Sequence, residues 1–425
     1  MPFRLINFDP SHFHAALLQK EMYPELHPRA VVYAPLGTEL LDYLHRISLF
    51  NSRADNPTSW ELDVHCAPDP LEEMLRRRNG NVVVFTGRNR AKINRIAKSI
   101  RAGLNVLADK PWIIRSSDLP LLEETLRQAA QQKLIAYDIM TERFEVTSEL
   151  GRELVNSPEI FGQLEKGSAE HPAIQARSVH YIMKIVSGMP LRRPAWFFDT
   201  SESGEGLADV GTHVIDLVQW TAFADQAIDY RKDIQLVEAH RWPLTLTREQ
   251  FNAVTGETNF PAALAPSVQG GKLDYYCNNA VHYTLRGVHA RLEISWDWKA
   301  SEGSGDVYEA AFQGSKARIE IRQQSAQNYR PELYVVPGSP ALQSKVRDLQ
   351  SRWPGLSVEE NATEAHLQIP EQFRVGHEAH FHQVAQSFFQ YLRSPDLLPE
   401  WEAPNMLAKY YVATKGVELS LRNDL

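Results

Sequence analysis

Asp209 and His213 stand four residues apart in GEGLADVGTHVIDLVQW, residues 204–220. On a helix that offset places a carboxylate and an imidazole on one face, one turn apart. Asp216 and Trp220 continue the stripe at offsets of three and four. An imidazole titrates near neutrality, so it can take or give a proton, and a neighbouring carboxylate can orient it or bind a hydroxyl beside it. Leu207, Val210, Val214, Ile215, Leu217 and Val218 make the rest of the stretch apolar nearly all round, which predicts a buried helix. A polar stripe on a buried helix is consistent with a pocket. It is equally consistent with a capping aspartate and a hydrogen-bonded core histidine.

The elements that must position such a pair follow from the pattern of the chain. FRLINF (3–8), AVVYA (30–34), NVVVFTG (81–87), LNVLAD (104–109) and KLIAYDIM (133–140) read as short buried strands. HAALLQKEMY, NRAKINRIAKSIRAG (89–103) and SSDLPLLEETLRQAAQQ (116–132) read as helices among them, the second stopping at Gly103. Strand and helix in alternation predict a parallel, doubly wound sheet. In such a sheet ligands bind at the carboxyl ends of the strands. That singles out Asp9 to His12, Ala34 to Leu36, Thr86 to Asn89, Asp109 to Pro111, and Asp138.

From about residue 160 the pattern changes to longer strands: EIFGQLEKGS (159–168), DIQLVEAHRW (233–242), a pair turning near Arg286-Gly287, and a hairpin turning at Gly314-Ser315. This predicts an α+β domain with an open, mainly antiparallel sheet. Residues 246–271 and 338–375 read as long loops, and two helices, HEAHFHQVAQSFFQYL and APNMLAKYYVATKGVELSL, close the chain. The expected division is a Rossmann-like domain over 1–140 and a second domain over 141–425. The 204–220 helix is placed to lie between them, where ligand sites are common.

The chain has 425 residues, 43% apolar and 23% charged, with a net charge of −8 and no long basic run. Nucleic acid is therefore not an expected partner. No apolar stretch approaches the roughly 20 residues of a membrane span, and no signal peptide is evident. Cys66 and Cys277 are the two cysteines, too few and too far apart for a disulfide framework. A cytoplasmic location is the expectation.

GLNVLADKPWII (103–114) resembles the strand and "EKP" motif of the Gfo/Idh/MocA oxidoreductases, the glucose–fructose oxidoreductase and inositol dehydrogenase family. GEGLADVGTHVIDLVQW resembles their second motif, RPAWFFD (193–199) the segment before it, and FGQLEKG (161–167) the start of their C-terminal domain. The resemblance follows the chain in order along most of its length. It implies a Rossmann domain binding NAD or NADP, a sugar, polyol or related carbohydrate as substrate, and a homodimer or homotetramer built through the open sheet. By motif it makes Lys110 the lysine between nicotinamide and substrate, and Asp209 and His213 the catalytic pair on the substrate side.

The chain departs from that family at the first turn. FDPSHFH (8–14) has no glycine where G-x-G-x-x-G lets backbone N–H groups approach a pyrophosphate. Asp9, Ser11 and His12 stand there instead, with Ser11 able to cap the following helix. The second strand end, AVVYAPLG, has neither an acidic residue for a ribose nor an arginine for a 2′-phosphate, so NAD and NADP remain equal choices. Thr86, Arg88 and Asn89 occupy the third turn, where Arg88 or Arg90 offers charge to a cofactor, and Asp109 replaces the usual glutamate beside Lys110. Two readings follow: a divergent oxidoreductase, or a non-redox sugar-binding protein or enzyme that has lost tight dinucleotide binding.

Other residues have two readings each. Tyr181 and Trp196, with Phe197 and Phe198, can wall a sugar or fill a core. Arg143 can reach a substrate or form a minor surface pair. The histidines of HEAHFH (377–382) lack a carboxylate or cysteine to complete a ligand set, so no metal is expected there.

Overall fold

The computed structural model describes every residue except Met1, Pro68, Ser187, Gly188, Asp424 and Leu425. The first unit is built on valine-rich strands. β1 (Leu5–Phe8), β2 (Arg29–Ala34), β3 (Glu61–Cys66), β4 (Val82–Phe85), β5 (Asn105–Ala108) and β6 (Ala136–Asp138) form one sheet in the order β3-β2-β1-β4-β5-β6. All its pairings are parallel. Every residue of β1 and β4 is buried, as a sheet covered on both faces requires. The order reverses direction between β1 and β4, so the crevice beyond their carboxyl ends is the topological switch point.

The helices of this unit are α1 (His14–Leu18), α2 (Thr38–Ser52), α3 (Pro70–Arg77), α4 (Lys92–Arg101) and α5 (Leu119–Gln131). β3 escapes a periodicity reading because it lies at the sheet edge and none of its residues is buried. α1 is far shorter than HAALLQKEMY suggested.

The unit comprises residues 1–113, 117–141 and 376–403. The helix His377–Arg393 thus belongs to it, although the sequence division placed 141–425 in the other domain. Aromatic packing is the reason. Phe381 lies 5.4 Å from His14, Phe389 4.8 Å from Tyr23 and Phe388 6.3 Å from Tyr137, measured between ring centres. Phe381, Val384, Ala385 and Phe388 are the buried face, as the spacing predicts.

The second unit comprises residues 114–116, 142–375 and 404–425. Its sheet contains β7 (Ile174–Met183), β8 (Ile234–Leu246), β9 (Lys272–Leu285), β10 (Val288–Lys299), β11 (Val307–Gln313), β12 (Arg318–Gln323), β13 (Glu332–Val336), β14 (Ser357–Glu360) and β15 (Ala365–Gln368). They run in the order β8-β9-β10-β7-β11-β12-β13-β15-β14, and Val268–Gln269 pairs with β9 off this path. All pairings are antiparallel except β7 with β10. The β9–β10 hairpin turns at Arg286 (φ 53°) and Gly287 (φ 79°), the two left-handed residues of a tight hairpin turn.

Two expectations change here. EIFGQLEKGS contributes only isolated bridges at Leu164 and Gly167, and the first long strand is β7 instead. Both supposed loops hold structure: 246–271 contains the helix Arg248–Thr255, and 338–375 contains the helix Leu342–Leu349 and strands β14 and β15, which extend the sheet.

α6 (Val146–Val155), α7 (Val210–Ala222) and the helix Glu402–Asn423 share one apolar core with the sheet. Val214, Ile215 and Val218 of α7 meet Val281, Leu292 and Ile294 from the strands and Ala408 and Val412 from the last helix in that core. The chain enters α7 by passing close to β9. A Cβ on Gly206 would sit 2.1 Å from the Cys277 carbonyl oxygen, so only glycine fits.

Asp216 lies in the same core. Arg143 grips it with Nε at 2.6 Å and Nη2 at 2.8 Å, and Lys409 Nζ stands at 3.3 Å. Burial works against its ionisation, but the two cations outweigh burial and hold the carboxyl below its ordinary value. A carboxyl lower in the folded than in the unfolded chain adds stability that is complete above about pH 3.8 and is lost as pH falls further. Asp216→Asn should therefore lower the unfolding free energy near neutral pH by about 3–5 kcal/mol. Its stability should also fall less steeply below pH 4 than that of the wild type; denaturant titration at several pH values checks both. Gly206→Ala should cost about 3 kcal/mol or more, because a backbone oxygen cannot rotate away. An unchanged denaturation midpoint would show that this close approach relaxes freely.

Candidate functional site

In the first unit, β1 ends at Phe8 and the chain turns through Asp9, which adopts φ 45°. Arg95 of α4 covers the Asp9 carboxylate at 3.1 Å, so its charge is answered within the protein. The Asp9 N–H donates to Tyr33 O at 2.8 Å, the Ser11 N–H to Asp9 O at 2.7 Å and the His12 N–H to Thr86 O at 3.1 Å. Pro10 has no N–H. The first turn is thus closed on itself and forms no backbone cradle of the glycine-loop kind.

Ser11 does not cap α1, whose start carries no side-chain cap. Its Oγ instead receives the Arg88 N–H at 3.4 Å and fills the space beside Gly87. Gly87 adopts φ +143°, and a Cβ there would fall 1.9 Å from Ser11 Oγ. The glycine of the third turn therefore lets two strand ends close together. Arg88 reaches Glu39 at 3.3 Å, while Thr86 and Asn89 are buried behind it.

Beyond β5, Asp109 is buried and carries the strongest charge interactions of this region. Lys92, from the first turn of α4, meets Oδ1 at 2.6 Å and the Asp109 carbonyl at 3.0 Å. His12 Nδ1 and His14 Nδ1 both lie 3.3 Å from Oδ2. Burial alone would raise the Asp109 pKa, but Lys92 and the two imidazoles hold it well below the usual carboxylate range. Burial, with His12 adding to it, lowers His14 to about 3, so its ring is neutral at physiological pH. His14 Nε2 also meets His377 Nε2 at 3.2 Å. Lys110 follows Asp109, half-buried, and a cis peptide joins it to Pro111.

These residues fit a dinucleotide held by side chains rather than by backbone. Ser11 offers a hydroxyl, His12 an imidazole, and Arg88 and Lys110 positive charge, all at carboxyl ends of parallel strands.

In the second unit, Asp209 stands at the N-cap position of α7 and makes no capping bond, so it is not the capping aspartate of the simpler reading. His213 follows in the first turn, and both are half-buried. The GEG segment before them is pinned by Glu205. This buried carboxylate takes Arg241 Nη2 at 2.7 Å and Asn279 Nδ2 at 3.0 Å, and Asn279 Oδ1 accepts the Leu207 N–H at 2.9 Å. Arg241 in turn lies 3.6 Å over the Tyr276 ring.

Arg193 is the cation that feels Asp209. Its guanidinium lies 4.7 Å from the centre of Phe197 and 5.3 Å from that of Trp296, and donates to the carbonyls of Ile182 and Tyr181. Burial lowers its pKa, and Tyr275 and Asp209 oppose that.

Tyr181 and Trp196 are half-buried; Tyr181 meets this arginine through its carbonyl, and Trp196 lies in the turn Ala195–Phe198. Arg143 does not join them: its place is on Asp216 in the core, not in a solvent-facing pocket. The reading of Arg143 as a substrate ligand is corrected accordingly.

Sequence reasoning missed Arg193, Glu205, Arg241 and Lys92, and did not foresee that His14 and His377 meet. Arg193 and Glu205 sit inside the quoted segments RPAWFFD and GEG, so their positions were visible although their partners were not. Arg241 and Lys92 are joined to their partners only by tertiary contacts. The HEAHFH histidines diverge: His377 meets His14, His382 Nδ1 lies 3.0 Å from the Tyr23 hydroxyl, and His380 is buried.

A family model described as "Putative oxidoreductase C terminal domain" matches residues 150–421. A crystal structure of a "putative oxidoreductase" from Parabacteroides merdae is 43% identical, with a TM-score of 0.96, over 99% of this chain and 98% of that one. KijD10, a 3-ketoreductase from Actinomadura kijaniata solved with NADP and TDP-benzene, is 13% identical with a TM-score of 0.60, over 99% and 98% of the two chains. GenD2 from gentamicin A biosynthesis, solved with NAD, is 13% identical with a TM-score of 0.60, over 99% and 93%. No curated protein sequence matches. No helix among the described residues is long and apolar enough to cross a membrane. The chain belongs to the oxidoreductase family that this C-terminal domain defines.

Proposed function

We propose that the protein is an NAD- or NADP-dependent oxidoreductase acting on a CH–OH group of a sugar, polyol or related carbohydrate. The observation that carries this reading is the placing of Asp209 and His213, both half-buried, at the start of α7. Membership of an oxidoreductase family supports it, as do the nucleotide-bound KijD10 and GenD2 structures that share the fold.

When bound, the dinucleotide supplies the hydride acceptor. His213 takes the hydroxyl proton on a ring nitrogen as the hydride leaves the carbinol carbon, and returns it to the carbonyl oxygen in the reverse direction. Asp209 orients that ring or binds a neighbouring hydroxyl. Lys110 stabilises the alkoxide as a fixed positive charge. Asp9, Ser11, His12, Thr86, Arg88, Asn89 and Asp109 are the strand-end residues that would hold the nucleotide, and Arg95 neutralises Asp9. Tyr181 and Trp196 present ring faces to the sugar. The open sheet of the second unit joins two or four copies.

Hydride transfer between each nicotinamide form and a panel of sugars, polyols and keto-sugars, followed by nicotinamide absorbance, tests the reading. One substrate pair should turn over, and His213→Ala should cut kcat by about two to four orders of magnitude. The variant should fold and bind nucleotide as the wild type does. Full turnover in His213→Ala removes that residue from the mechanism; no turnover with any pair overturns the redox reading. Light scattering should give a mass of two or four chains, and a monomer would overturn the assembly.

A further inference from the structure

We propose that His12, His14 and Asp109 form a binding site for one divalent transition-metal ion of the zinc type. The inference goes beyond the redox reading and uses neither dinucleotide nor substrate. The three residues offer two imidazole nitrogens and a carboxylate oxygen, all within 4.8 Å of one another. That donor set suits zinc, which takes nitrogen and oxygen ligands in a tetrahedron.

The spacing suits a shared metal ion as well as a long hydrogen bond. Both Nδ1 atoms lie 3.3 Å from Asp109 Oδ2. A hydrogen bond to a carboxylate settles at about 2.7–2.9 Å. Metal–ligand bonds of about 2.0–2.1 Å place two tetrahedral ligands about 3.3–3.4 Å apart. His12 adds an independent sign. Its Nδ1 is shielded from solvent and, among the described residues, has no hydrogen-bond partner of acceptable geometry. A buried imidazole nitrogen facing a carboxylate without a hydrogen bond has an electron pair available to a Lewis acid.

Two of the three ligands have the outer partner a metal site needs. Metal-bound imidazoles are held by a hydrogen bond at the other ring nitrogen, and metal-bound carboxylates by one at the other oxygen. His14 Nε2 has His377 Nε2 at 3.2 Å, and Asp109 Oδ1 has Lys92 Nζ at 2.6 Å. Three protein ligands leave the fourth tetrahedral position for water or an exogenous oxygen ligand. The ligands come from the ends of β1 and β5 and the start of α1, so the ion would stand where this kind of sheet binds ligands.

The test is zinc titration of chelator-treated, nucleotide-free full-length protein by calorimetry, with cobalt(II) as a spectroscopic substitute. One zinc per chain should bind at micromolar concentration or tighter, and cobalt should develop the intense visible bands of a tetrahedral site. His12→Ala, at a half-exposed position that should tolerate the change, should weaken zinc by 100-fold or more. His377→Ala should weaken it by about 10- to 100-fold as an outer partner. His382→Ala, on the same helix but facing Tyr23, is the control and should bind as the wild type. Circular dichroism of each variant separates lost binding from lost folding. Zinc binding only at millimolar concentration, or binding that survives intact in folded His12→Ala, overturns the proposal. Because nucleotide is absent throughout, failure here leaves the redox reading standing, and failure of the redox reading leaves this one.

Discussion

Asp109 is a carboxylate with almost no water around it, and the strand ends of the first unit are arranged to answer its charge. An unpaired buried charge is strongly destabilising, so the carboxylate dictates what may stand beside it. Lys92 arrives from the first turn of α4, and His12 and His14 from the turn after β1. That demand explains why a dinucleotide fold carries FDPSHFH in place of glycines. Imidazoles at positions 12 and 14 face Asp109, while the backbone of the turn folds inward to Tyr33 and Thr86. Glycine has no side chain with which to serve a buried anion. The departure at the first turn and the aspartate beside Lys110 are therefore two sides of one interaction.

The second unit handles its buried carboxylates in the same manner. Asp216 is enclosed by Arg143 and Lys409, and Glu205 by Arg241 and Asn279. Both hold structure: one ties α7 to the turn before α6 and to the last helix, and the other fixes the chain against β9. Asp209 and His213 differ in kind, because they remain half-exposed at the helix start. Residues that a rigid frame positions but does not enclose are those available to a ligand. The stripe at 209, 213 and 216 therefore divides by depth, its outer members being available for chemistry and its inner one serving the core.

Much of the fold was legible because its signals are local. Val82 to Phe85 and Val106 to Ala108 are apolar runs too short for helices, and Gly103 (φ +81°) stops α4 where the pattern ends. The two hairpin turns were marked by Arg286-Gly287 and Gly314-Ser315. β3 was invisible because an edge strand with no buried residue has little hydrophobic pattern. β14 and β15 were hidden in a stretch whose composition reads as loop, and they gain strand identity only by pairing, β15 with β13 and β14 with β15. The helix His377–Arg393 showed its buried face plainly, but which unit it covers is decided by His14, Tyr23 and Tyr137, more than two hundred residues away in sequence. The spacing of Asp209 and His213 was visible in the sequence, although Asp209 stands at the N-cap and not within the helix. The pairing of Arg143 with Asp216 was not visible, since 73 positions separate them.

The central claim is that a strand-end region without a glycine loop holds a nicotinamide dinucleotide through side chains. Calorimetric titration of the purified protein with NAD, NADH, NADP and NADPH tests it most directly. The account predicts that one oxidised and reduced pair binds with one site per chain, and that Lys110→Ala and Arg88→Ala weaken it without unfolding the protein. If no form binds at millimolar concentration, the account is contradicted, and the parallel sheet of this chain serves some purpose other than hydride transfer.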